Sequence, residues 1–139
     1  MISLCRDNTK AFYGRATCVK TEGEPELQLP DQIADRFVST YVLDLMSEKD
    51  AESLIDAAYR LLQPGGKLCL ASLTHGVDLV SRTVELLWNA AYRVSPKMTG
   101  GCRPVELAKY IRSGKWAVAH NATMVEYGVP SEVLIAKRL

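Results

Sequence analysis

The 139-residue sequence has few of the residues that mark a metal site, a secreted scaffold or a charged binding surface. Its four cysteines are far apart and form no CxxC pair, so their spacing fits neither a zinc site nor a disulfide framework. Lys and Arg number 17 against 16 for Asp and Glu, so no net field attracts nucleic acid or an anionic membrane. We therefore expect no bound metal, no nucleic-acid partner and no membrane partner.

The sequence also lacks a segment that would direct the chain out of the cytoplasm. The opening MISLCRDNTK has no basic region followed by an apolar run, unlike a signal peptide. No uninterrupted apolar stretch approaches the roughly 20 residues that span a bilayer. Cys18 and Cys69 lie in apolar, strand-like runs, where a thiol acts as a small hydrophobic group. These features predict a reduced, cytoplasmic protein.

What the sequence does contain is a regular alternation of apolar and polar segments within the length of one domain. Hydrophobic residues make up 47% of the chain and charged residues 24%, which is ordinary globular composition. The pattern predicts short helices at 1–13 and 104–112, longer helices from Ser47 and over 78–92, and strands at 16–20, 37–42, 67–73, 116–127 and 132–137.

Residues 37–73 are the most informative segment, because they predict a strand, a helix and a second strand in succession. Ser47 followed by Asp50 is a helix-start signature, and Pro64-Gly65-Gly66 is a helix stop. A strand–helix–strand unit takes a right-handed parallel topology by default. The last two strands are joined by Gly128 to Ser131, a connection too short for a parallel crossover, so they are expected to form an antiparallel hairpin.

This ordered set of crossover, Leu-Gln-Pro-Gly-Gly turn and final hairpin resembles the second half of a class I S-adenosylmethionine (SAM)-dependent methyltransferase domain. In that family a seven-stranded sheet has the order 3-2-1-4-5-7-6, with strand 7 antiparallel. FVSTYVLDL resembles strand 4, LLQPGGKLCL the turn into strand 5, EYGVPSEVLIAKR the hairpin of strands 6 and 7, and MISL the start of the helix after strand 2. The resemblance implies an α/β fold, a partial Rossmann-like methyltransferase sheet whose parallel strands end in an antiparallel hairpin.

The resemblance covers the chain without including the glycine-rich loop that holds the methionine part of SAM in the family. The close-set glycines Gly65-Gly66 and Gly100-Gly101 fit a helix stop and a late loop instead. We therefore expect residues 1–139 to form a single truncated methyltransferase-like domain. The first alternative is a SAM-dependent methyltransferase, or a fragment of one, that acts on a small molecule. The second is a catalytically inactive remnant that serves as a dimerisation or partner-binding module. An unrelated small parallel α/β domain is a third alternative.

The resemblance also implies site residues at the carboxyl edge of the sheet, where open α/β sheets bind ligands. Those implied for the cofactor are Thr21, Glu22, Gly23, Ser39 and Thr40, with Glu22 near the adenine amino group. Those implied for the substrate are Tyr41, Tyr92 and Arg103. Each has a structural alternative, as a solvated loop residue, a surface residue or a small side chain beneath a helix.

His75 is the candidate catalytic residue, because it follows the predicted strand 67–73 at the same edge. An imidazole can take a proton from a hydroxyl or an amine near neutral pH. The spacing identifies no carboxylate partner for it. His120, in an alternating strand, is expected to be structural, and Trp88, on the apolar stripe of its helix, is expected to be a core residue.

The missing strands also predict an assembly. Family strands 1 and 2 lie between strands 3 and 4, and neighbouring strands are about 4.8 Å apart, so strand 3 cannot hydrogen-bond across the gap they leave. An apolar strand 4 left as an open edge is prone to association. We expect this edge to be covered by strand 3, by a second copy of the chain, or by another chain that supplies the missing half.

Overall fold

The computed structural model describes residues 2–12, 14–21, 23, 27–95 and 101–139. Its helices and strands follow the predicted order along the chain, with one exception among the strands. The elements are α1 (Ile2–Thr9), β1 (Ala34–Thr40), α2 (Glu48–Leu61), β2 (Leu62–Leu73), α3 (Leu79–Val94), β3 (Trp116–Glu126) and β4 (Val129–Arg138). Short 3₁₀ helices cover Lys10–Phe12, Leu43–Leu45 and Leu107–Tyr110.

The described strands form a four-stranded sheet in the order β1-β2-β4-β3. β1 and β2 are parallel, and β4 runs antiparallel to both of its neighbours. This is the order of the last four strands in the sheet that the sequence resembles, strands 4, 5, 7 and 6. The predicted fold class, a mixed α/β sheet whose parallel strands end in an antiparallel hairpin, is confirmed.

The crossover helix α2 begins and packs as its sequence predicts. The Ser47 hydroxyl oxygen accepts a hydrogen bond from the Asp50 backbone N–H at 3.2 Å, which satisfies one of the unpaired donors of the first turn. Residues at helical spacing form its buried face: Ala51, Leu54, Ile55, Ala57, Ala58 and Leu61. The helix ends at Leu61, upstream of Pro64, whose ring would clash with the preceding turn.

The hydrophobic core lies between α2 and the sheet. Its fully buried leucines come from the first 3₁₀ segment after β1, from β2, from the Leu107–Tyr110 segment and from β4: Leu43, Leu62, Leu68, Leu70, Leu107 and Leu134. Trp116 closes one end of this core, where its ring meets Tyr59 edge to face with 5.3 Å between the ring centroids. The core therefore ties the parallel pair to the final hairpin.

The hairpin connecting β3 to β4 is tighter than its sequence predicts. Tyr127 and Gly128 form a two-residue turn, and both have positive φ angles, 52° and 79°. Positive φ at both central residues defines the type I′ turn, whose twist matches that of antiparallel strands. Val129 to Ser131, expected in the loop, belong to β4 instead.

The predicted strand over 16–20 is wrong, since these described residues form neither helix nor strand. A β-branched run becomes a strand only when another strand pairs with it, and β2 alone pairs with β1 in the described sheet. Cys18 accordingly contacts Cys5, with 2.8 Å between the two Sγ atoms, rather than packing in a sheet. The expectation that this segment covers the open edge of β1 is therefore wrong as well. The helix expected over 104–112 is only the 3₁₀ segment Leu107–Tyr110.

Two expected buried faces are partly open. Val38 of β1 is 65% exposed, although strands of a parallel α/β sheet are usually covered on both faces. On α3, Val80 and Leu87 of the predicted apolar stripe are exposed, and Trp88 is half-buried rather than a core residue. No helix in the described ranges is long and apolar enough to cross a membrane.

Candidate functional site

The candidate site lies where the parallel strands β1 and β2 end, because their carboxyl ends meet at one edge of the sheet. Residues 41–46 follow β1 and residues 74–78 follow β2. A third segment crosses this edge and is held there by backbone hydrogen bonds. The Val105 N–H donates to the Leu73 carbonyl at 2.9 Å, and the Arg103 N–H donates to the Asp44 carbonyl at 3.0 Å.

Three buried side chains at this edge carry oxygens without hydrogen-bond partners among the described residues: Ser39, Asp44 and Ser72. Asp44 is only 1% exposed, and neither of its carboxyl oxygens is paired. Leaving a buried polar group unpaired costs about 1–3 kcal/mol, and more for a charged group, so native proteins rarely retain one without a reason. The edge thus has a polar interior whose hydrogen-bonding capacity is unused.

Burial governs the protonation of this cluster. It raises the pKa of the Asp44 carboxyl above its ordinary value of 3.8, and its own backbone N–H, the Cys102 thiol and the Ser72 hydroxyl offset only part of the rise. Burial also raises the pKa of the Cys102 thiol, and the Asp44 charge adds to that rise. Cys102 and Ser72 approach the carboxyl without hydrogen bonds of ordinary geometry.

Asp44→Asn should change stability in a pH-dependent way. The folded state holds the Asp44 proton more tightly than the unfolded state, so this group's contribution is favourable at low pH and is lost as the pH rises through the folded-state pKa. We expect the stability of Asp44→Asn relative to the wild type to increase from well below pH 3.8 to neutral pH. Urea unfolding across this pH range measures the stability difference between the variant and the wild type. Glu52→Gln, at an exposed position, is the control. A stability difference that does not change with pH would contradict the prediction.

The second loop contains the pair His75 and Glu85. The His75 Nδ1 atom lies 2.7 Å from Oε1 of Glu85, and the other carboxylate oxygen, Oε2, accepts a hydrogen bond from the Gly76 N–H at 2.8 Å. The side chain of His75 is 63% exposed and that of Glu85 17%. Sequence reasoning missed Glu85, because no fixed spacing links a loop histidine to a glutamate in the following helix.

Several groups control the charge on Glu85. Burial raises the pKa of its carboxyl, but hydrogen bonds from the Gly76 N–H and the His75 ring, together with the charges of His75 and Arg82, lower this pKa by more. Glu85 is therefore an oriented carboxylate beside His75. The Gly76 N–H and the imidazole share its two oxygens between them.

A cleft adjoins this pair. Its volume is only about 30 Å³, and its walls are apolar. Glu85 and Thr74 are among the lining residues, and the others come from the end of β2, from α3, from the 101–107 segment and from the start of β4: Leu73, Val84, Trp88, Pro104, Val129 and Pro130. The Trp88 indole N–H donates to the Cys102 carbonyl at 3.1 Å, which fixes this ring in the wall.

The structure brings several of the sequence-predicted residues to this edge. Ser39 is buried near the end of β1, whereas Thr40 and Tyr41 are exposed. Tyr41 has a positive φ of 53°, and its hydroxyl lies 3.1 Å from the Ser131 hydroxyl of β4. Ser39, Thr40 and Tyr41 thus share the carboxyl edge with His75.

The remaining predicted residues have other surroundings. Thr21 and Gly23 are exposed in a segment that no described strand precedes, and Glu22 lies outside the described residues. Tyr92 is half-buried on α3. The Arg103 guanidinium donates to the Met46 carbonyl at 2.7 Å, so this side chain braces the loop that carries Asp44. Within the described ranges, no group of three or more His, Cys, Asp or Glu side chains is arranged to hold a metal ion.

Comparison with known proteins assigns the family. The profile of the methyltransferase domain family matches residues 1–70, half of the chain. The chain therefore belongs to the methyltransferase domain family. No curated protein sequence matches it significantly.

Solved structures match over nearly the whole chain. A SAM-dependent methyltransferase from Methanosarcina mazei superposes with a TM-score of 0.69 at 16% identity, covering 99% of this chain and 77% of that one. Magnesium protoporphyrin IX methyltransferase from Synechocystis PCC 6803, with bound S-adenosylhomocysteine (SAH), gives 0.69 at 16% identity, covering 100% and 59%. The N-methyltransferase NodS from Bradyrhizobium japonicum WM9, also with SAH, gives 0.69 at 16%, covering 99% and 61%. The chain thus spans about three fifths to three quarters of these proteins and shares their fold.

Proposed function

We propose that this chain takes part in SAM-dependent methyl transfer to a small molecule, at the carboxyl edge of β1 and β2. Membership of the methyltransferase domain family supports the reaction class, and two structures of the same fold contain SAH. The observation that carries the proposal for this chain is the unpaired, buried set of oxygens on Ser39, Asp44 and Ser72. Such oxygens suit a ligand with several hydrogen-bond donors, as a nucleoside has.

The cofactor, when bound, supplies an electrophilic methyl group. This chain's part is to bind the polar groups of SAM and to orient the acceptor, since a methyl transfer of this kind depends largely on positioning. Ser39 and Thr40 at the end of β1 are the proposed cofactor contacts, together with Thr21, Glu22 and Gly23. Tyr41, Tyr92 and Arg103 are the proposed contacts of the acceptor, and His75 is the proposed catalytic residue.

The acceptor in this proposal is a small molecule. The cleft next to the pair His75 and Glu85 is small and has an apolar lining, which suits part of a compact molecule rather than a polymer. Magnesium protoporphyrin IX methyltransferase, one of the similar structures, is named for a small-molecule substrate. These observations favour a compact, largely apolar acceptor.

Titration calorimetry with SAH tests the cofactor part. We expect binding by this chain and a loss of at least about fivefold in affinity for Ser39→Ala, because one hydrogen bond contributes about 1 kcal/mol. Ser113→Ala, at an exposed position far along the chain, serves as the matched control and should bind like the wild type. Absence of heat and of a thermal shift at millimolar SAH would reject methyl transfer by this polypeptide.

The open edge of β1 favours a second candidate, a catalytically inactive module that binds a partner. In the described sheet β1 pairs with β2 alone, Val38 of β1 is exposed, and so are Val42 and Leu45 in the segment that follows this strand. An unpaired apolar edge is a surface for association. The first candidate partner is a second copy of this chain, and the alternative is a chain that carries the other strands of the family sheet. Sedimentation of the calorimetry sample decides between the two: a stable dimer without SAH binding favours the module.

We propose a cytoplasmic location. All four cysteines, Cys5, Cys18, Cys69 and Cys102, are free thiols. Free thiols are typical of a reducing compartment, where disulfides are rare.

A further inference from the structure

Two thiols are in contact in the N-terminal segment of the chain. Cys5 lies on α1 and Cys18 in the segment that follows this helix, and their Sγ atoms are 2.8 Å apart. A disulfide bond is about 2.0 Å long, so joining the two sulfur atoms requires only a small further approach. Both are free thiols; Cys5 is exposed and Cys18 is half-buried. A dissolved reagent can therefore reach a pair of cysteines that already touch.

The surroundings make these two thiols unequal. The hydrogen bond between them lowers the pKa of the Cys18 thiol and raises the pKa of Cys5. The Thr9 hydroxyl, 3.3 Å from Sγ of Cys18, and the Arg6 charge lower the pKa of Cys18 further, and desolvation offsets only part of this. The thiolate is the form that attacks a disulfide, so Cys18 is the nucleophile of the pair and Cys5 reacts second.

A shallow cleft with basic side chains, the basic cleft, lies beside Cys18. Its volume is about 250 Å³, and its lining comes from α1, the following 3₁₀ turn and the segment of Cys18: Arg6, Thr9, Lys10, Ala16, Thr17 and Cys18. One of the two cations, Lys10, also contacts Asp7, with 2.6 Å between Nζ and Oδ1. Positive side chains attract a small anion, and this volume accommodates part of a peptide-sized molecule.

We propose that Cys5 and Cys18 form a reversible oxidation site that reacts with small anionic disulfides such as oxidised glutathione. The Cys18 thiolate attacks one sulfur of the reagent, whose S–S bond breaks, and one glutathione leaves with the electron pair. Cys5 then loses its proton to solvent and attacks the sulfur of Cys18, and the second glutathione leaves. In total the chain gives up two electrons and two protons, which convert oxidised glutathione into two molecules of its thiol form.

This site is independent of the proposed methyl transfer. Its disulfide would close the chain from residue 5 to residue 18 and so tie α1 to the segment that follows it. A crosslink that thiol exchange both forms and removes is compatible with a reducing compartment, where protein disulfides are transient. None of the tests below uses SAM or SAH, so their outcomes do not depend on cofactor binding.

Peptide mapping of the wild-type chain is the first test. Trypsin separates the four cysteines, with Cys5 in peptide 1–6 and Cys18 in peptide 16–20. After treatment with oxidised glutathione and alkylation of the remaining thiols, we expect these two peptides to be joined by a disulfide that dithiothreitol cleaves. The absence of this link, a link to the other cysteines in equal amount, or a lasting glutathione adduct on Cys18 would overturn the inference.

Serine variants test the order of the two steps. Cys5→Ser keeps a hydroxyl beside Cys18, so it should react with oxidised glutathione at nearly the wild-type rate and stop at the mixed disulfide on Cys18. Cys18→Ser should react about tenfold more slowly, because Cys5 is the weaker nucleophile. In urea the wild-type chain should lose this preference for Cys18, since the preference depends on folded contacts. Equal rates for the two variants in the folded state would contradict the assignment of Cys18.

Thr9→Val tests the contribution of the hydroxyl, with Thr9→Ser as its matched control. This hydroxyl also donates to the Cys5 carbonyl at 2.9 Å, but a thiolate on Cys18 attracts its hydrogen more strongly. We expect the first step to slow about threefold in Thr9→Val, which lowers the thiolate fraction of Cys18, and to keep its rate in Thr9→Ser. Equal rates for the two variants would remove Thr9 from the site.

The charge of the reagent is the last test. Bis(2-hydroxyethyl) disulfide is the uncharged match for oxidised glutathione, and each rate is divided by the rate of the same reagent with the chain unfolded in urea. We expect the folded chain to favour the anionic reagent, and added salt to reduce this advantage, because salt screens the attraction of the basic cleft. Equal ratios for the two reagents at low salt would overturn the anionic class of reagent.

Discussion

Gly76→Ala lowers the free energy of unfolding by about 3 kcal/mol and separates His75 from Glu85, because the added methyl group has no space. A Cβ atom at this position would lie 2.5 Å from the Arg82 backbone nitrogen and 2.6 Å from the Ser81 carbonyl carbon. These are backbone atoms of the first turn of α3, which cannot rotate out of the way. The turn must move, and it carries Glu85 with it.

The matched control is Gly114→Ala. Gly114 has a φ of 90°, and the described structure places no atom within 4 Å of its missing Cβ, so alanine there meets backbone strain without a steric clash. That strain costs about 1–2 kcal/mol. Urea unfolding of both variants measures the difference, and the ¹⁵N resonances of the His75 ring report whether its contact with Glu85 persists. The prediction fails if Gly76→Ala is no more destabilising than Gly114→Ala, or if the ¹⁵N resonances of His75 in Gly76→Ala are those of the wild type.

Leu134→Ala lowers the free energy of unfolding by about 3–4 kcal/mol, the usual cost of a cavity in a rigid core. Leu134 is completely buried and lies on β4, the strand that joins β2 to β3. Its register partner on β2 is Leu70, another buried leucine. A cavity at this point cannot collapse easily, because β4 is hydrogen-bonded to strands on both sides.

Val118→Ala on β3 is the control for this cavity. Val118 is 54% exposed on the same hairpin, so its truncation should cost less than about 1 kcal/mol. Urea or thermal unfolding monitored by far-ultraviolet circular dichroism measures both variants. Similar losses for Leu134→Ala and Val118→Ala would contradict the assignment of β4 to the centre of the core.

The crossover unit could be predicted because its signals are local. The Ser47 cap, the apolar stripe of α2 and the stop before Pro64 each act within a few residues, and each is found in the structure. The final hairpin was equally accessible, since its connection is too short for any parallel arrangement. The family resemblance came from the order of these units, and the family profile confirms it.

The failures share a cause. The run at 16–20 has the composition of a strand, but a strand needs a partner, and the described sheet provides none. The apolar stripe of α3 predicted a buried Trp88, yet this residue is only half-buried among the described residues. In both cases the residues were correctly interpreted as apolar. The described structure has no neighbouring element that buries them fully.

Some features of the candidate site likewise follow from local sequence patterns, and others depend on tertiary contacts. The order of strands and helices, the parallel pair and the place of His75 at its carboxyl edge follow from short-range patterns and from the handedness of the crossover. The pairing of His75 with Glu85, the burial of Asp44 and the bracing of its loop by Arg103 depend on tertiary contacts. The two side-chain contacts join residues 10 and 57 positions apart, which meet only after folding. Hydrogen bonds and desolvation act through space rather than along the chain, so only the tertiary structure could reveal which acidic groups face which partners.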